Sequence, residues 1–426
     1  MSEFLVGFVG MTHLGLVSAT GVASRNFNVV CFDPDAALIE RLRRGELPVR
    51  EPDLDNMIES NGTRQRFTAD ISELSQCDVV YVAPDVPTDD QGCSDPSGLV
   101  RLIEQVNAIL APKAVIVILS QVEPGFTRAL AAPELGRRYY QVETLVFGRA
   151  VERATKPERY IVGCADPSIP LPRAYRAVLE VFGCPVLPMR FESAELAKIS
   201  INFCLVASVT VANTLAEVCE QIGADWSEIA PALKLDRRIG QYAYLSPGLG
   251  ISGGNLERDL RTVLTLGAAH GTDVSVIGAW LHNSQHRKDW TWRTIRDAVL
   301  ATQPAAIIAV LGLAYKENTH STKNSPSLRL LSQLQGRTVR VHDPIVESTI
   351  VPFARGCATA LECVQGADVA VLATPWPEYR KLSLDALAKA MRGRVIVDPY
   401  RMLDGDRARA LGFTYYTLGR PVLAPA

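Results

Sequence analysis

The sequence lacks the features that mark several large classes of protein. Its 426 residues carry a net charge of −2, with Lys and Arg scattered along the chain. A protein that binds a nucleic acid polymer or a membrane surface normally has a basic face, so neither function is favoured. No continuous apolar run approaches the roughly 20 residues that span a bilayer, and the first residues have no basic segment like that of a signal peptide. We therefore expect a cytoplasmic protein with neither nucleic acid nor membrane partners.

Metal-ligand spacing is also missing. The nine cysteines and six histidines are dispersed, and no CxxC or comparable pair occurs. Several cysteines lie inside apolar runs, which is typical of reduced structural cysteines in a cytosolic protein. We expect no metal site.

Strand-like runs alternate with amphipathic helical stretches such as 36–44 and 99–110. This alternation predicts a parallel sheet covered by helices, and the chain is too long for a single core. The predicted strands of the first domain cover residues 4–9, 28–32, 79–83, 115–120, 160–163 and 185–189.

A long helix is predicted next, because residues 192–222 contain neither Pro nor Gly and have apolar residues at helical spacing. Helices continue to about residue 301, interrupted by the glycine-rich segment 248–254, and 302–305 resembles a linker. A second alternation supplies predicted strands at 306–311, 338–342, 369–373 and 394–397. The predicted fold is α/β, with two Rossmann-like parallel-sheet domains, 1–190 and 302–426, joined by a helical middle domain, 191–301, that contains the long connecting helix.

A dinucleotide fingerprint follows the first predicted strand. Gly10-Met-Thr-His-Leu-Gly15 opens a helix rich in small residues, and Asp33 ends the second strand. A carboxylate there would meet the ribose hydroxyls of NAD and repel the extra phosphate of NADP. The middle glycine, which lets the backbone approach the pyrophosphate, is Thr12 here. Its hydroxyl could contact phosphate, the turn could widen, or the side chain could weaken binding.

Several segments together resemble the UDP-glucose/GDP-mannose dehydrogenase family, in order and over nearly the whole chain. They are Val86-Pro87-Thr88-Asp89, Glu195-Leu-Ala-Lys198-Ile-Ser-Ile-Asn202, Leu235-Asp-Arg-Arg238-Ile-Gly240, the segment from Gly248 through Asn255 to Asp259, and Gly312-Leu-Ala-Tyr-Lys316. The resemblance implies an enzyme that uses NAD to oxidise C6 of a nucleotide sugar twice, from alcohol to aldehyde to acid. It also implies a homodimer formed through the long middle helix.

The resemblance also implies roles for individual residues. Lys198 and Asn202 would stabilise an alkoxide or oxyanion, Asp259 would transfer a proton with an ordered water, and Glu143 would activate water. On the cofactor side stand Gly10, Thr12, Gly15, Asp33, Pro87, Thr88 and Gln121. On the substrate side stand Arg238, which would reach a neighbouring subunit, Lys316, Gly250 and Arg401, which is one place from the family's arginine.

Asn255 stands where the family has its catalytic cysteine. The second oxidation needs a thiolate that converts the aldehyde to a thiohemiacetal, and a carboxamide is not a useful nucleophile. The chain also departs from the family outside this segment, with Gln121 in place of a threonine and Phe147 in place of an acid. We therefore expect a two-electron oxidation that stops at an aldehyde or ketone, with Asn255 either binding a ligand or filling the volume of the thiol.

Two other functions stay open at this point. One is an epimerase or isomerase that keeps NAD bound and returns the hydride, and the other is an inactive scaffold that binds NAD or a nucleotide sugar. Asp259 could also be only the N-cap of a helix that follows the glycine-rich segment. Retention of five residues at separated positions favours an enzyme, namely Lys198, Asn202, Arg238, Asp259 and Lys316.

Overall fold

The computed structural model describes residues 3–87, 89, 94–143, 145–252 and 255–425. The chain divides into two compact units, Met1–Ile201 and Asn202–Ala426, called unit 1 and unit 2. Unit 1 is built around one sheet, and unit 2 contains a set of helices followed by a second sheet. The α/β class with two Rossmann-like sheets is confirmed, and the bounds 1–190, 191–301 and 302–426 stay a prediction.

The sheet of unit 1 has eight strands in the order β3-β2-β1-β4-β5-β6-β7-β8. They are β1 Leu5–Val9, β2 Asn28–Phe32, β3 Gln65–Thr68, β4 Val79–Val82, β5 Val115–Ile118, β6 Arg138–Gln141, β7 Tyr160–Cys164 and β8 Val186–Arg190. All neighbours are parallel except β6 and β7. Every residue of β4 and β5 is buried, as expected for apolar strands that helices cover on both faces.

Eight helices belong to this part of the chain. They are α1 His13–Ala23, α2 Ala36–Arg43, α3 Leu54–Asn61, α4 Ser97–Ile109, α5 Phe126–Ala129, α6 Ala150–Thr155, α7 Arg173–Glu180 and α8 Phe191–Ile222. The order of the strands reverses between β1 and β4. In open α/β sheets, ligands bind beyond the carboxyl ends of the strands at such a switch point.

Two strands of this sheet were missing from the prediction. β3 and β6 carry polar side chains that hide the apolar pattern, yet both Gln65 and Arg138 are buried. Gln65 Nε2 donates to Thr20 Oγ1 at 3.0 Å, and the Arg138 guanidinium donates to the carbonyls of Leu130 and Arg128. These partners lie on other segments of unit 1, and a local sequence pattern does not reveal them.

The long helix is confirmed as α8. By length and composition alone, α8 could cross a membrane. That test is weak evidence, since a helix in the core of a globular domain passes it as well. Within unit 2, Asn202 and Asn213 of this helix are buried, and both make hydrogen bonds to other segments.

Unit 2 continues with helices and a six-stranded parallel sheet in the order β11-β10-β9-β12-β13-β14. The helices are α9 Trp226–Leu235, α10 Asn255–His270, α11 Ser275–Lys288, α12 Trp290–Ile295, α13 Pro326–Gln333, α14 Ala360–Val364, α15 Leu384–Ala390 and α16 Gly405–Ala410, with a π-helical turn at Arg296–Leu300. The strands are β9 Ile307–Leu311, β10 Thr338–His342, β11 Arg355–Gly356, β12 Val369–Leu372, β13 Val395–Val397 and β14 Thr414–Tyr416. β11 and β14 are short and were not predicted.

A buried ion pair ties α8 to α11 within unit 2. The Arg287 side chain is 0% exposed and its Nη2 lies 3.2 Å from Glu220 Oε1. Glu220 also accepts hydrogen bonds from Trp290 Nε1 at 2.9 Å and from the Gly419 N–H at 2.9 Å. Arg287 Nη1 also lies 3.1 Å from Glu217 Oε2, so loss of Glu220 would remove one of the two carboxylates that balance this buried charge.

We expect Glu220→Ala to lower the free energy of unfolding by about 2 kcal/mol, since the Arg287 guanidinium, the Trp290 indole and the Gly419 N–H would each lose an acceptor. Urea denaturation followed by circular dichroism measures this. Glu228→Ala, which removes an exposed carboxylate on α9, is the matched control and should change stability by no more than about 0.5 kcal/mol. Equal effects of the two variants would contradict the importance of the buried pair.

Candidate active site

The turn after β1 has the geometry of a dinucleotide-binding turn. Gly10 has φ +90°, and a Cβ there would lie 2.7 Å from Pro84 N, so no other residue fits without displacement of the backbone. A Cβ on Gly15 would collide with the carbonyl oxygen of Gly10. Both predicted glycines are therefore required by the close approach of α1 to the sheet.

Thr12 is the N-cap of α1, with φ −75° and ψ −174°, so its backbone is unstrained. Its hydroxyl donates to the carbonyl oxygen of Ala83 at 3.3 Å, at the end of β4. The side chain is therefore directed to the sheet edge at the switch point. The sequence left the direction of this hydroxyl open, and the structure places it on a protein carbonyl.

Asp33 follows β2 and is largely buried. Its Oδ2 accepts the Met11 N–H at 2.7 Å, and its Oδ1 accepts the Asp35 N–H at 2.9 Å. These bonds fix the carboxylate beside the glycine turn, where an adenosine ribose is expected in this fold. The turn, the N-terminus of α1 and Asp33 together fit NAD.

The other cofactor-side residues follow β4 and β5. Pro87 is exposed, and its carbonyl accepts the Asp95 N–H at 2.9 Å, while Thr88 lies outside the described residues. Gln121 is half-buried in the segment that follows β5. The hydroxyl of its neighbour Ser120 donates to Pro84 O at 2.6 Å. Pro87 and Gln121 thus follow the carboxyl ends of neighbouring parallel strands.

Glu195 holds the segment that carries Gln121, a role that sequence analysis did not identify. It is 0% exposed, and its carboxylate accepts the N–H groups of Gly125 at 2.6 Å and Thr127 at 2.8 Å. Burial raises the pKa of the Glu195 carboxyl, although the two backbone donors act in the opposite direction. The glutamate of the ExxKxxxN segment is therefore a positioning residue in unit 1.

Glu143 follows β6 and is half-buried. It lines a cavity of about 30 Å³, large enough for a water molecule, together with Tyr81, Tyr160 and Gln141. Burial raises the pKa of Tyr81, and the nearby Glu143 charge raises it further. Activation of water by this residue stays a prediction.

Two predicted catalytic residues meet in unit 2. Asn202 on α8 donates through Nδ2 to Asp259 Oδ2 at 2.5 Å, and Asp259 is 1% exposed. Arg258 Nε lies 3.4 Å from Asp259 Oδ1, so the carboxylate has a cation beside it. A buried carboxylate held by an amide and a guanidinium can exchange a proton with a bound alcohol or water.

The alternative role of Asp259 as an N-cap is wrong. α10 begins at Asn255, which places Asp259 in the second turn of the helix. Asn255 is exposed and stands one turn before Asp259 on the same face. Lys198, which is half-buried on α8 in unit 1, has the same spacing to Asn202.

The glycine-rich segment before α10 is anchored from two helices. Asn213 Oδ1 on α8 accepts the Gly248 N–H at 2.8 Å, and Ser284 Oγ on α11 accepts the Ile251 N–H at 2.8 Å. A Cβ on Gly250 would collide with the carbonyl of Ser284. Gly250 is therefore needed for close packing of this segment, and contact with substrate stays a prediction for it.

The second sheet repeats the turn of the first. Gly312 follows β9 with φ +108°, and Asp343, which follows β10, accepts the N–H groups of Leu313 at 2.6 Å and Ala314 at 3.1 Å. This is the arrangement of Asp33 around the first turn. Apart from the glycine and the aspartate, the two segments share little sequence, so sequence analysis did not detect this structural repeat.

Lys316 lies on the loop after this second turn and is half-buried, with its Nζ 5.7 Å from the ring centroid of Tyr315. The loop is held by Thr374, whose hydroxyl donates to Ala314 O at 2.7 Å, and by Ser325, whose hydroxyl donates to Leu313 O at 2.8 Å. The lysine therefore stands on a braced loop at the carboxyl edge of the second sheet.

Arg238 and Arg401 lie in different surroundings. Arg238 is 89% exposed and pairs with Asp236 of its own turn at 2.6 Å. Arg401 has φ +51°, and its Nη2 donates to Asp225 at 2.7 Å and to Leu418 O at 3.1 Å. The structure thus gives Arg401 an internal partner, and its contact with substrate stays a prediction.

Metal ligation has no support in the part of the chain that the structure describes. Within those residues no group of three or more His, Cys, Asp or Glu side chains could hold a metal ion. All eight described cysteines are free.

Comparisons with known proteins agree with this arrangement. Three models of the UDP-glucose/GDP-mannose dehydrogenase family match, the NAD binding domain at 4–178, the central domain at 192–285 and the UDP binding domain at 309–405. A UDP-glucose 6-dehydrogenase of Pseudomonas aeruginosa is 29% identical over 97% of this chain and 97% of that protein. TuaD, a UDP-glucose 6-dehydrogenase of Bacillus subtilis, is 28% identical over 98% of this chain and 94% of its own length.

Solved structures give the same fold. A UDP-glucose dehydrogenase of Pyrobaculum islandicum superposes with a TM-score of 0.84 and 25% identity, covering 100% of this chain and 98% of that one. A UDP-D-ManNAc dehydrogenase of Pyrococcus horikoshii has a TM-score of 0.82 at 23% identity, with 98% and 99% covered. One conclusion follows from all three domain matches, from the turn at Gly10 and from the position of Asp33 beside it. The chain belongs to the UDP-glucose/GDP-mannose dehydrogenase family and is an NAD-dependent oxidoreductase.

Proposed function

We propose that this protein carries out one two-electron oxidation, in which a CH–OH group of a UDP-linked sugar becomes an aldehyde or ketone. The observation that carries the proposal is the buried hydrogen bond between Asn202 and Asp259, in a chain whose motif has asparagine at position 255. The residues for alcohol oxidation are retained, whereas the thiol for the second oxidation is replaced. The names of the relatives suggest UDP-glucose or UDP-ManNAc as starting points for the substrate search.

The chemistry balances without a covalent intermediate. When bound, NAD would supply the hydride acceptor for the alcohol carbon, and the hydroxyl proton would have to leave at the same time. We assign this proton to Asp259, directly or through a water, because its carboxylate is the acidic group that is bound by Asn202 and lies beside Arg258. The second N–H of the Asn202 amide and the Lys198 ammonium would stabilise the alkoxide oxygen.

Other thiols of unit 2 are poor substitutes. Cys219 and Cys363 are buried and Cys357 is half-buried, and burial raises the pKa of all three thiols. Cys204 is exposed on α8, but it stands two residues from Asn202 and therefore on the opposite side of the helix. Among the described residues of this unit, these positions support an enzyme without a thiolate nucleophile at the motif.

The direct test is the stoichiometry of the reaction. Purified protein is incubated with UDP-linked sugars and NAD, NADH is followed by absorbance, and the product is identified by mass spectrometry with a hydrazine trap for carbonyls. We expect one NADH per substrate and a carbonyl product. Two NADH and an acid would overturn the proposal, and binding of NAD with no turnover of any sugar would favour a scaffold.

We propose further that the protein is a cytoplasmic homodimer joined through α8. An apolar stripe of exposed side chains runs along this helix, consisting of Cys204, Val211, Leu215, Val218 and Ile222. Their spacing of three, four and seven residues places them on one face. A continuous apolar stripe of this length is typical of a helix that packs on a partner.

We expect Leu215→Glu to convert the dimer to monomer at micromolar concentration, because a charge would be buried in the centre of the stripe. Light scattering after size-exclusion chromatography measures the mass, to be compared with 46.4 kDa for one chain. Gln221→Glu adds the same charge to α8 outside the stripe and serves as the control. A dimer that survives Leu215→Glu would place the interface elsewhere.

A further inference from the structure

A buried carboxylate gathers three separate segments of unit 1 beside the cofactor turn. The Glu51 side chain is 0% exposed, and its Oε1 lies 2.8 Å from His13 Nε2. Its oxygens also accept the N–H of Gly148, at 2.9 and 3.0 Å, and of Ala150, at 3.1 Å. Glu51 therefore fixes both the imidazole and the segment that precedes α6.

The same imidazole has an aromatic partner. The ring of His13 stacks on Phe147 with centroids 4.1 Å apart and an angle of 25° between the planes. Phe147 is 42% exposed, whereas the His13 side chain is only 13% exposed. With Nε2 on Glu51 and one ring face on Phe147, the orientation of His13 is determined.

The position of His13 connects this cluster to the cofactor. His13 is the first residue of α1, the helix whose N-terminus meets the pyrophosphate of a dinucleotide in this fold. Its neighbour Thr12 replaces the glycine that would let the backbone approach the pyrophosphate closely. With the backbone farther from the pyrophosphate, its N–H groups bind the phosphate oxygens less strongly. A hydrogen bond from the His13 side chain to the pyrophosphate would offset that loss.

We propose that His13, oriented by Glu51 and Phe147, is a cofactor-positioning residue that binds the pyrophosphate of NAD and compensates for Thr12. In its protonated form the imidazole keeps Nε2–H on Glu51 and offers Nδ1–H to a phosphate oxygen. Nδ1 makes no hydrogen bond within the part of the chain that the structure describes. The proposal rests on NAD as the cofactor and is independent of the two-electron reaction proposed above.

The test measures binding and needs no turnover. Calorimetric titration of the full-length protein compares ADP-ribose, which has the pyrophosphate, with adenosine, which lacks it. We expect His13→Phe, which keeps an aromatic ring on Phe147, to raise the Kd of ADP-ribose about tenfold, as for one charge-assisted hydrogen bond, and to leave adenosine unchanged. Glu51→Gln should shift the Kd for ADP-ribose in the same direction, because the imidazolium loses its counter-charge.

His282→Phe changes an exposed histidine on α11 of unit 2 and should alter neither Kd. An unchanged Kd of ADP-ribose in His13→Phe would overturn the proposal, as would equal weakening of both ligands, which indicates a distorted site. A double-mutant cycle tests the compensation itself. His13→Phe should cost less affinity for ADP-ribose in a Thr12→Gly background, and an undiminished cost would separate His13 from Thr12.

Discussion

Replacement of Asp259 by asparagine is expected to lower kcat by about 10² to 10⁴-fold, the usual contribution of a positioned general base. Asp259 is 1% exposed and is bound by Asn202 at 2.5 Å. Asparagine has nearly the same shape, and its amide oxygen can still accept from Asn202, but it cannot take up the alcohol proton. The loss should therefore appear in kcat, whereas the Kd of NAD and the melting temperature change little. Steady-state kinetics, NADH fluorescence titration and thermal unfolding separate these quantities.

Asp297→Asn is the matched control, because Asp297 is an exposed aspartate of the same unit that pairs with its neighbour Arg296. Its kcat should stay within twofold of the parent protein. A fall of less than tenfold in Asp259→Asn would mean that Asp259 only orients Asn202. If the melting temperature of Asp259→Asn fell together with kcat, Asn202→Ala would distinguish proton transfer by Asp259 from a role that only orients Asn202. That variant leaves the carboxylate in place and should retain part of the activity.

The fold followed from sequence wherever apolar strands are buried on both faces. β1, β2, β4 and β5 were located within about two residues, because runs such as 79–82 contain only Val and Tyr. β3 and β6 were missed because they carry buried polar residues, Gln65 and Arg138, whose hydrogen-bond partners lie on other segments of unit 1. Hydrophobic periodicity identifies the positions at which apolar side chains are buried. It does not identify a buried polar side chain whose hydrogen-bond partner lies on another segment.

The candidate site was predictable to a similar degree. The resemblance to the family pointed to Asn202 and Asp259, and the structure brings them together across 57 positions of sequence. It did not identify Glu195 as the anchor of Gly125 and Thr127. A glutamate on a helix is usually solvated, and only three-dimensional proximity distinguishes this one.

The direction of a side chain was the least accessible property. Thr12 could be named as the departure from the fingerprint, but its bond to Ala83 O needs the position of β4. The same limit applies to Arg401, whose bond to Asp225 spans 176 positions. A motif identifies which residues can act chemically, and the packing of distant segments determines where their polar atoms lie.

The second large effect is expected from Asn255→Cys, which should raise the yield from one to two NADH per substrate and convert the carbonyl product to an acid. Asn255 is the first residue of α10 and is exposed, and cysteine is smaller, so the substitution fits. A thiol at a helix N-terminus has a lowered pKa and is partly thiolate at neutral pH. It can add to the aldehyde, and loss of a second hydride, for which a second NAD would be the acceptor, would convert the thiohemiacetal to a thioester. Water would then hydrolyse the thioester, which releases the acid and restores the thiol.

Asn255→Ser is the matched control for this variant, since serine is close in size to cysteine but is a weak nucleophile without an adjacent base. It should keep one NADH per substrate. Mass spectrometry of the denatured Asn255→Cys protein after a single turnover should also show the sugar nucleotide joined through a thioester. If that variant still gave one NADH and a free carbonyl, with its thiol reactive toward iodoacetamide, then position 255 would not face the substrate carbon. In that case, the absence of a nucleophile there could not explain a two-electron reaction.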